Sequence, residues 1–209
     1  MQSKSSIIVT VAAAFILLAF SGCSEPQPPS RGSSEPGDPV LRERIQKDAQ
    51  FRLENSPLSD QDKKGFQGLS YFPVNRAMRF SAQLHRYPAP TSVRLGTNTG
   101  EIRSGLRYGY FEFQVGGQIY KLQVYRLEDA PEDGGAQLFV PFRDSTSGQE
   151  TYAAGRYIDL KENTTGAYDL DFNRAYNPFC AYNTKYSCPV PPSENTLKVP
   201  IRAGEKRFH

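Results

Sequence analysis

Three charged residues occupy positions where the pattern of the chain predicts apolar side chains. Asp144, Arg156 and Glu205 each lie at the end of a predicted strand, in phase with the apolar residues of that strand. Residues of one parity share a face of a strand, so all three side chains are expected to point toward the core. An unpaired charge is costly there, and we expect the three to meet one another or a ligand. They form either a structural ion-pair cluster or the charged floor of a pocket.

A second polar group lies in a long loop over residues 171–192. The four prolines and three asparagines of this stretch make it too irregular for a helix or a central strand. Its candidate ligand-binding residues are Asp171, Asn173, Arg174, Tyr176 and Asn177. Such carboxylate, amide, guanidinium and phenol groups can orient a polar ligand through several hydrogen bonds. They can equally tie the loop to its own backbone, as Asn and Asp do in turns.

Paired carboxylates would allow a hydrolytic reaction as an alternative to binding. Asp144 with Glu205, or Asp171 with Asp169, could serve as the pair. In such an enzyme Asp144, Asp171 or Glu205 would act as general acid and base around Arg156. The chain contains no G-x-S-x-G elbow, phosphate-binding loop or H-E-x-x-H motif. The sequence therefore leaves the catalytic residues of such an enzyme unassigned.

Two cysteines in the same loop, Cys180 and Cys188, predict a disulfide, given the exported context described below. The ring would be short, and the loop-entropy estimate gives it about 2.5 kcal/mol of stabilisation. The spacing of these cysteines matches neither a zinc knuckle nor a C-x-x-C redox motif. We expect no metal and no cofactor.

The elements that must position these residues follow from periodicity. Asp38 and Pro39 are a cap and first position for a helix over residues 39–55, with Leu41, Ile45 and Ala49 as its apolar stripe. From Tyr71 onward the period becomes two, which predicts half-buried antiparallel strands. The predicted strands include 78–84, 111–115, 120–124, 137–142, 156–161, 167–173 and 197–202. Between the second and third, the pair Gly116-Gly117 predicts a two-residue hairpin.

This pattern predicts a mainly β fold, an antiparallel barrel or sandwich with one N-terminal amphipathic helix and a long structured loop. We expect a single domain over residues 40–209, a length sufficient for one core. The net charge of +3 gives no basis for binding nucleic acid.

The N-terminus predicts export. Lys4 precedes an apolar run over residues 7–20, and residues 20–23, Phe-Ser-Gly-Cys, resemble a bacterial lipoprotein box. This resemblance implies a signal peptide over residues 1–22, lipidation of Cys23 with fatty acyl chains such as palmitate, and a membrane anchor. Residues 23–39 are expected to form a disordered tether. Ser24 favours the outer membrane if the host has two membranes.

The motifs of the second half of the chain carry a wider resemblance. The stretches FRDSTSGQETYAAGRY, DFNRAYNPFCAYN, CPVPPSEN and IRAGEKRF resemble the bacterial and archaeal family called domain of unknown function 1684, over roughly residues 41–208. The resemblance brings no known activity. We therefore expect a lipid-anchored, extracytoplasmic module that binds a small polar ligand or an envelope partner. The alternatives are an envelope hydrolase and a structural lipoprotein without a ligand.

Overall fold

A computed structural model describes residues 37–128 and 138–209, and no helix among them is long and apolar enough to cross a membrane. The signal peptide, Cys23 and nearly all of the predicted tether lie outside the described residues. The helices are α1 (Pro39–Phe51) and α2 (Asp60–Gly65). The strands are β1 (Arg79–Gln83), β2 (His85–Gly96), β3 (Ile102–Val115), β4 (Gln118–Leu127), β5 (Leu138–Phe142), β6 (Arg156–Leu160) and β7 (Ala167–Asp171).

The strands form two antiparallel sheets, which confirms the mainly β prediction. One sheet has the order β2-β3-β4-β5-β6, and the other consists of β1 and β7. The pairing of the described strands does not close either sheet into a barrel. The two-residue hairpin at Gly116-Gly117 is confirmed, with φ of +58° and +82° at its two glycines.

A core of aromatic and branched residues joins the two sheets. Phe172, just after β7, packs against Phe113 of β3 and Phe142 of β5, with ring centroids 5.2 and 5.3 Å apart. Phe80 of β1 contacts Phe113 at 5.1 Å. Tertiary burial of these rings fixes the start of the long loop against both sheets, because interlocked rings leave little freedom to shift.

Helix α1 confirms the predicted cap but not the predicted apolar face. Asp38 accepts a hydrogen bond from the backbone N–H of Val40 at 2.8 Å. The stripe that includes Ile45 is wrong, since this side chain is 69% exposed. The inner face instead carries Val40, Arg44, Lys47 and Phe51. The long stems of Arg44 and Lys47 cover apolar surface while their charged ends reach polar partners, which hides this face from a hydropathy pattern.

The predicted strand over residues 197–202 is also wrong. This segment is irregular and lies beside Arg143 and Ser145. Leu197 N donates to Arg143 O, and Ser145 N donates to Val199 O. Pro200 has no N–H to donate, so a regular ladder cannot continue through it. The side chains predicted to point inward still do so, since Ile201 and Glu205 are almost completely buried.

Candidate functional site

The charged residues predicted to point inward do so, and two of them pair directly. Asp144 and Arg156 follow β5 and open β6, and their side chains are 1% exposed. A nitrogen of Arg156, Nη2, lies 3.4 Å from Asp144 Oδ2. The guanidinium also donates to the backbone carbonyls of Ile201, Ala203 and Glu205. Burial lowers the pKa of Arg156 to about 10, while Asp144 acts in the opposite direction.

Asp144 is fully occupied by donors of the protein. Its Oδ2 accepts from the backbone N–H of Ile201 at 2.6 Å, and its Oδ1 accepts from the hydroxyls of Thr146 and Ser147. The ion pair and these bonds fasten the C-terminal segment to the ends of β5 and β6. We call Asp144, Arg156 and their bonded carbonyls the closed cluster, because both side chains are shielded from solvent and hydrogen-bonded to the protein.

Glu205 is buried as predicted, but its ionic partner lies on α1. Lys47 Nζ is 2.5 Å from Glu205 Oε1. The other oxygen, Oε2, accepts from the backbone N–H of Asn177 at 2.8 Å and from the hydroxyl of Tyr182 at 2.6 Å. Only the backbone oxygen of Glu205 meets Arg156. The predicted group of three is therefore one pair plus a neighbouring carboxylate that faces the helix.

A small cavity with charged residues in its lining lies between α1 and the residues that follow β7. It has a volume of about 170 Å³. Four of the predicted ligand-binding residues line it, together with residues of α1 and Tyr71: Asn173, Arg174, Tyr176, Glu205, Val40, Glu43, Arg44, Lys47, Tyr71 and Ala175. We call this space the α1 cavity. Its charged lining comprises three cations and two carboxylates.

Two residues that line the α1 cavity, Arg44 and Tyr71, each carry a polar atom without a hydrogen-bond partner among the described residues. The atoms are Arg44 Nε and the hydroxyl of Tyr71, and both are shielded from solvent. The Arg44 guanidinium lies 4.5 Å from the centre of the Tyr71 ring, so the two groups are neighbours. Its other nitrogens donate to the carbonyls of Phe72 and Asn173 at 2.9 and 3.2 Å. Burial raises the pKa of Tyr71, which keeps its hydroxyl protonated, and burial lowers that of Arg44.

The remaining predicted residues act mainly on the chain itself. Asp171 Oδ1 accepts from both nitrogens of Asn173. The Asn173 side chain in turn accepts from the backbone N–H of Asn75 and donates to the carbonyl of the same residue. Asn177 is 2% exposed and donates to the carbonyl of Lys206. Asp171 and Asn173 also line a separate concavity of about 420 Å³ with Arg79. Of the five loop candidates, Asp171 and Asn177 do not line the α1 cavity, and their hydrogen bonds fit the backbone-tying interpretation.

Arg174 and Tyr176 lie at the rim of the α1 cavity. Arg174 forms a bidentate pair with Glu43 of α1 at 2.8 and 2.9 Å. The hydroxyl of Tyr176 donates to Asp159, which lies on β6. These contacts hold the helix against the loop and define the walls of the cavity.

The two cysteines are free, buried thiols in this structure, so the disulfide stays a prediction. The backbone N–H of Cys180 donates to Cys188 Sγ at 3.3 Å. The pKa of the Cys188 thiol is lowered to about 7, mainly because the Cys180 side chain hydrogen-bonds to it. The same bond and burial raise the pKa of Cys180. Within residues 37–128 and 138–209, no three His, Cys, Asp or Glu side chains are grouped to hold a metal ion.

Sequence reasoning missed Arg44, Lys47 and Tyr71. Arg44 and Lys47 share a helical face with Val40 and Phe51. Because this face contains both charged and apolar residues, an apolar periodicity does not indicate it. Tyr71 lies before the first strand, in a segment without a periodic pattern. Charged residues that share a helical face with two large apolar ones would have been the available signal.

Comparison with known proteins places the chain in a family without an assigned activity. The family model described as "Protein of unknown function (DUF1684)" matches residues 64–206. A solution NMR structure of the uncharacterized protein from gene locus rrnAC0354 of Haloarcula marismortui is similar, with 37% identity and a TM-score of 0.63. The match covers 80% of this chain and 91% of that one. No curated protein matches the chain. The chain belongs to the DUF1684 family.

Proposed function

We propose that this domain is a binding module that holds a small anionic molecule in the α1 cavity. The observation that supports the proposal is that Arg44 and Tyr71 line one cavity, and that each carries a solvent-shielded polar atom, Arg44 Nε and the Tyr71 hydroxyl, without a partner among the described residues. Buried polar groups are nearly always hydrogen-bonded, so a shielded pair without partners marks a place where a ligand can supply acceptors.

The charges of the cavity favour an anion over a cation. Arg44 Nε can only donate, and the Tyr71 hydroxyl stays protonated and can donate as well. Glu205 already accepts three hydrogen bonds, so it offers little to a cationic ligand. A carboxylate presents two acceptor oxygens, which matches two neighbouring donors. The volume of about 170 Å³ takes a group of a few heavy atoms.

The three carboxylates predicted for the hydrolase alternative do not support it. Asp144, Asp171 and Glu205 all accept hydrogen bonds from protein donors, and Asp144 lies in the closed cluster. A general acid or base must reach the proton that it transfers. The structural-lipoprotein alternative predicts that the α1 cavity binds nothing, and the same experiment decides between it and a binding module.

The test is titration of isotope-labelled acetate into the purified full-length chain, followed by NMR. Saturable binding is expected, and Tyr71→Phe should weaken it about tenfold, the effect of losing one hydrogen bond to a charged group. Tyr120→Phe is the matched control, because its hydroxyl bonds Gln118 at the surface, away from the cavity. Absence of saturable binding, or equal affinity of Tyr71→Phe and wild type, would refute the proposal.

We further propose that the module is carried outside the cytoplasm on a lipid attached to Cys23, as the lipoprotein-box resemblance implies. Expressed in a bacterium that processes lipoproteins, the wild-type chain should incorporate labelled palmitate. Cys23→Ser should not, because one residue supplies the attachment point. Equal incorporation by both chains would argue against lipidation at this residue.

A further inference from the structure

A larger groove adjoins the α1 cavity and has a different character. Its volume is about 660 Å³. It runs along the end of α1 and the residues that follow, where Phe51, Leu53, Pro57 and Phe179 supply its apolar lining. Leu53 and Phe179 are 56% and 48% exposed, an unusual exposure for large apolar side chains that lie together.

The groove and the α1 cavity share a wall. Glu43, Lys47 and Tyr176 line both spaces. Lys47 Nζ lies 5.4 Å from the centre of the Phe51 ring and 4.9 Å from that of Tyr176, while it pairs with Glu205. A cavity with charged residues in its lining and a groove with exposed apolar side chains therefore meet at one lysine side chain.

This arrangement defines the chemistry of an occupant. Building on the function proposed above, we propose that the ligand is an amphipathic carboxylate, with its head group in the α1 cavity and its apolar chain in the groove. The donors Arg44 and Tyr71 select the head group, and the exposed side chains of Leu53 and Phe179 cover the chain. Sites for small molecules usually have such a largely apolar surface with a few polar groups that fix orientation.

A chain-length series tests the proposal on the full-length protein. Calorimetric titration with acetate, hexanoate and decanoate should show affinity rising about twofold to fourfold with each methylene. The upper value corresponds to complete burial of a methylene, and the groove is partly open. Decanoate that binds no more tightly than acetate would overturn the proposal while leaving the proposed function intact.

Variants separate the head group from the chain. Leu53→Ser should weaken decanoate binding about fivefold or more and leave acetate binding unchanged. The control is Ile45→Ser, a similar change within α1, whereas Leu53 lies just after that helix; Ile45 is 69% exposed and outside the lining of the groove. Equal decanoate affinity of the two variants would refute a chain in the groove. Both substitutions are at exposed positions, so folding should tolerate them.

Two further outcomes identify a different occupant. Decanoate binding that depends on Leu53 but not on Tyr71 would mean that the groove takes a purely apolar group, and it would contradict the carboxylate head. Concentration-dependent dimerisation that Leu53→Ser abolishes, with no gain in affinity along the acid series, would mean that the groove contacts a second copy of the chain. If the wild-type chain does not bind acetate saturably, the function proposed above is itself refuted.

Discussion

The closed cluster and the α1 cavity are built from similar residues but differ in how completely their polar atoms are satisfied. In the closed cluster, Arg156 bonds Asp144 and three backbone carbonyls, and Asp144 accepts from three further donors. In the α1 cavity, Arg44 and Tyr71 each retain a shielded atom without a partner among the described residues. A buried charge is thus architectural where its bonds are complete and a candidate ligand contact where they are not.

The largest effect is expected in the closed cluster. Arg156→Met should lower the free energy of unfolding by about 3–5 kcal/mol, because it leaves Asp144 as an uncompensated buried charge and three carbonyls without their donor. Arg202→Met is the control, since Arg202 pairs with Glu150 at the surface and its side chain is 59% exposed. That change should cost less than about 1 kcal/mol. Urea denaturation that gives equal losses for both variants would contradict the structural role of the cluster.

The C-terminal segment contacts both the closed cluster and the α1 cavity. Substitution of Gly204 in this segment should lower the free energy of unfolding nearly as much as Arg156→Met. Gly204 has φ of +77°, and a Cβ there would lie 2.4 Å from the carbonyl oxygen of Ala175 and 2.7 Å from that of Phe172. Gly204→Ala should cost about 3 kcal/mol in the same assay, from backbone strain and from this overlap. Gly100→Ala isolates the first contribution, because Gly100 has φ of +86° and no atom within 4 Å of a Cβ. Gly100→Ala should lower the free energy of unfolding by about 1–2 kcal/mol. Equal losses for the two variants would mean that the backbone around residue 204 shifts to accommodate the added Cβ.

Lys47 separates stability from binding. Lys47→Met should cost about 1–2 kcal/mol, less than Arg156→Met, because the lysine side chain is 24% exposed and Glu205 keeps its bonds from Asn177 and Tyr182. It should also weaken acetate binding, since it removes a cation from the cavity lining. Lys121→Met, at an exposed pair with Glu112, should change neither quantity appreciably. A stability loss without any change in binding would assign Lys47 to the architecture alone.

The cysteines give a smaller, pH-dependent effect. The pKa of Cys188 is about 7 in the folded chain and higher in the unfolded one, so the unfolded state binds the extra proton. The contribution of Cys188 to stability should therefore grow as pH rises from about 7 toward 8.5 and be lost as pH falls through 7. Thiolate absorbance near 240 nm in the reduced protein should titrate near pH 7, and Cys180→Ala should raise that midpoint. A wild-type midpoint above pH 8.5 would contradict the hydrogen bond between the two thiols.

Alternation of residues was enough to predict that Asp144, Arg156 and Glu205 point inward, because side-chain parity is a local property of an extended chain. The partner of Glu205 was not predictable, since Lys47 lies 158 residues away in sequence. The buried face of α1 was missed for a different reason. Arg44 and Lys47 lie on it through their apolar stems, whereas Ile45 faces outward, so residue type misled the pattern.

A binding role for the α1 cavity requires that the Tyr71 hydroxyl bonds a ligand and is not needed by the fold. Thermal unfolding of wild type and Tyr71→Phe, with and without decanoate, tests this requirement. Without ligand, Tyr71→Phe should melt at the wild-type temperature or slightly above, because it removes a shielded hydroxyl that has no partner among the described residues. With decanoate, the stabilisation seen in wild type should be mostly lost. A lower melting temperature without ligand, together with an unchanged shift on adding decanoate, would contradict the account.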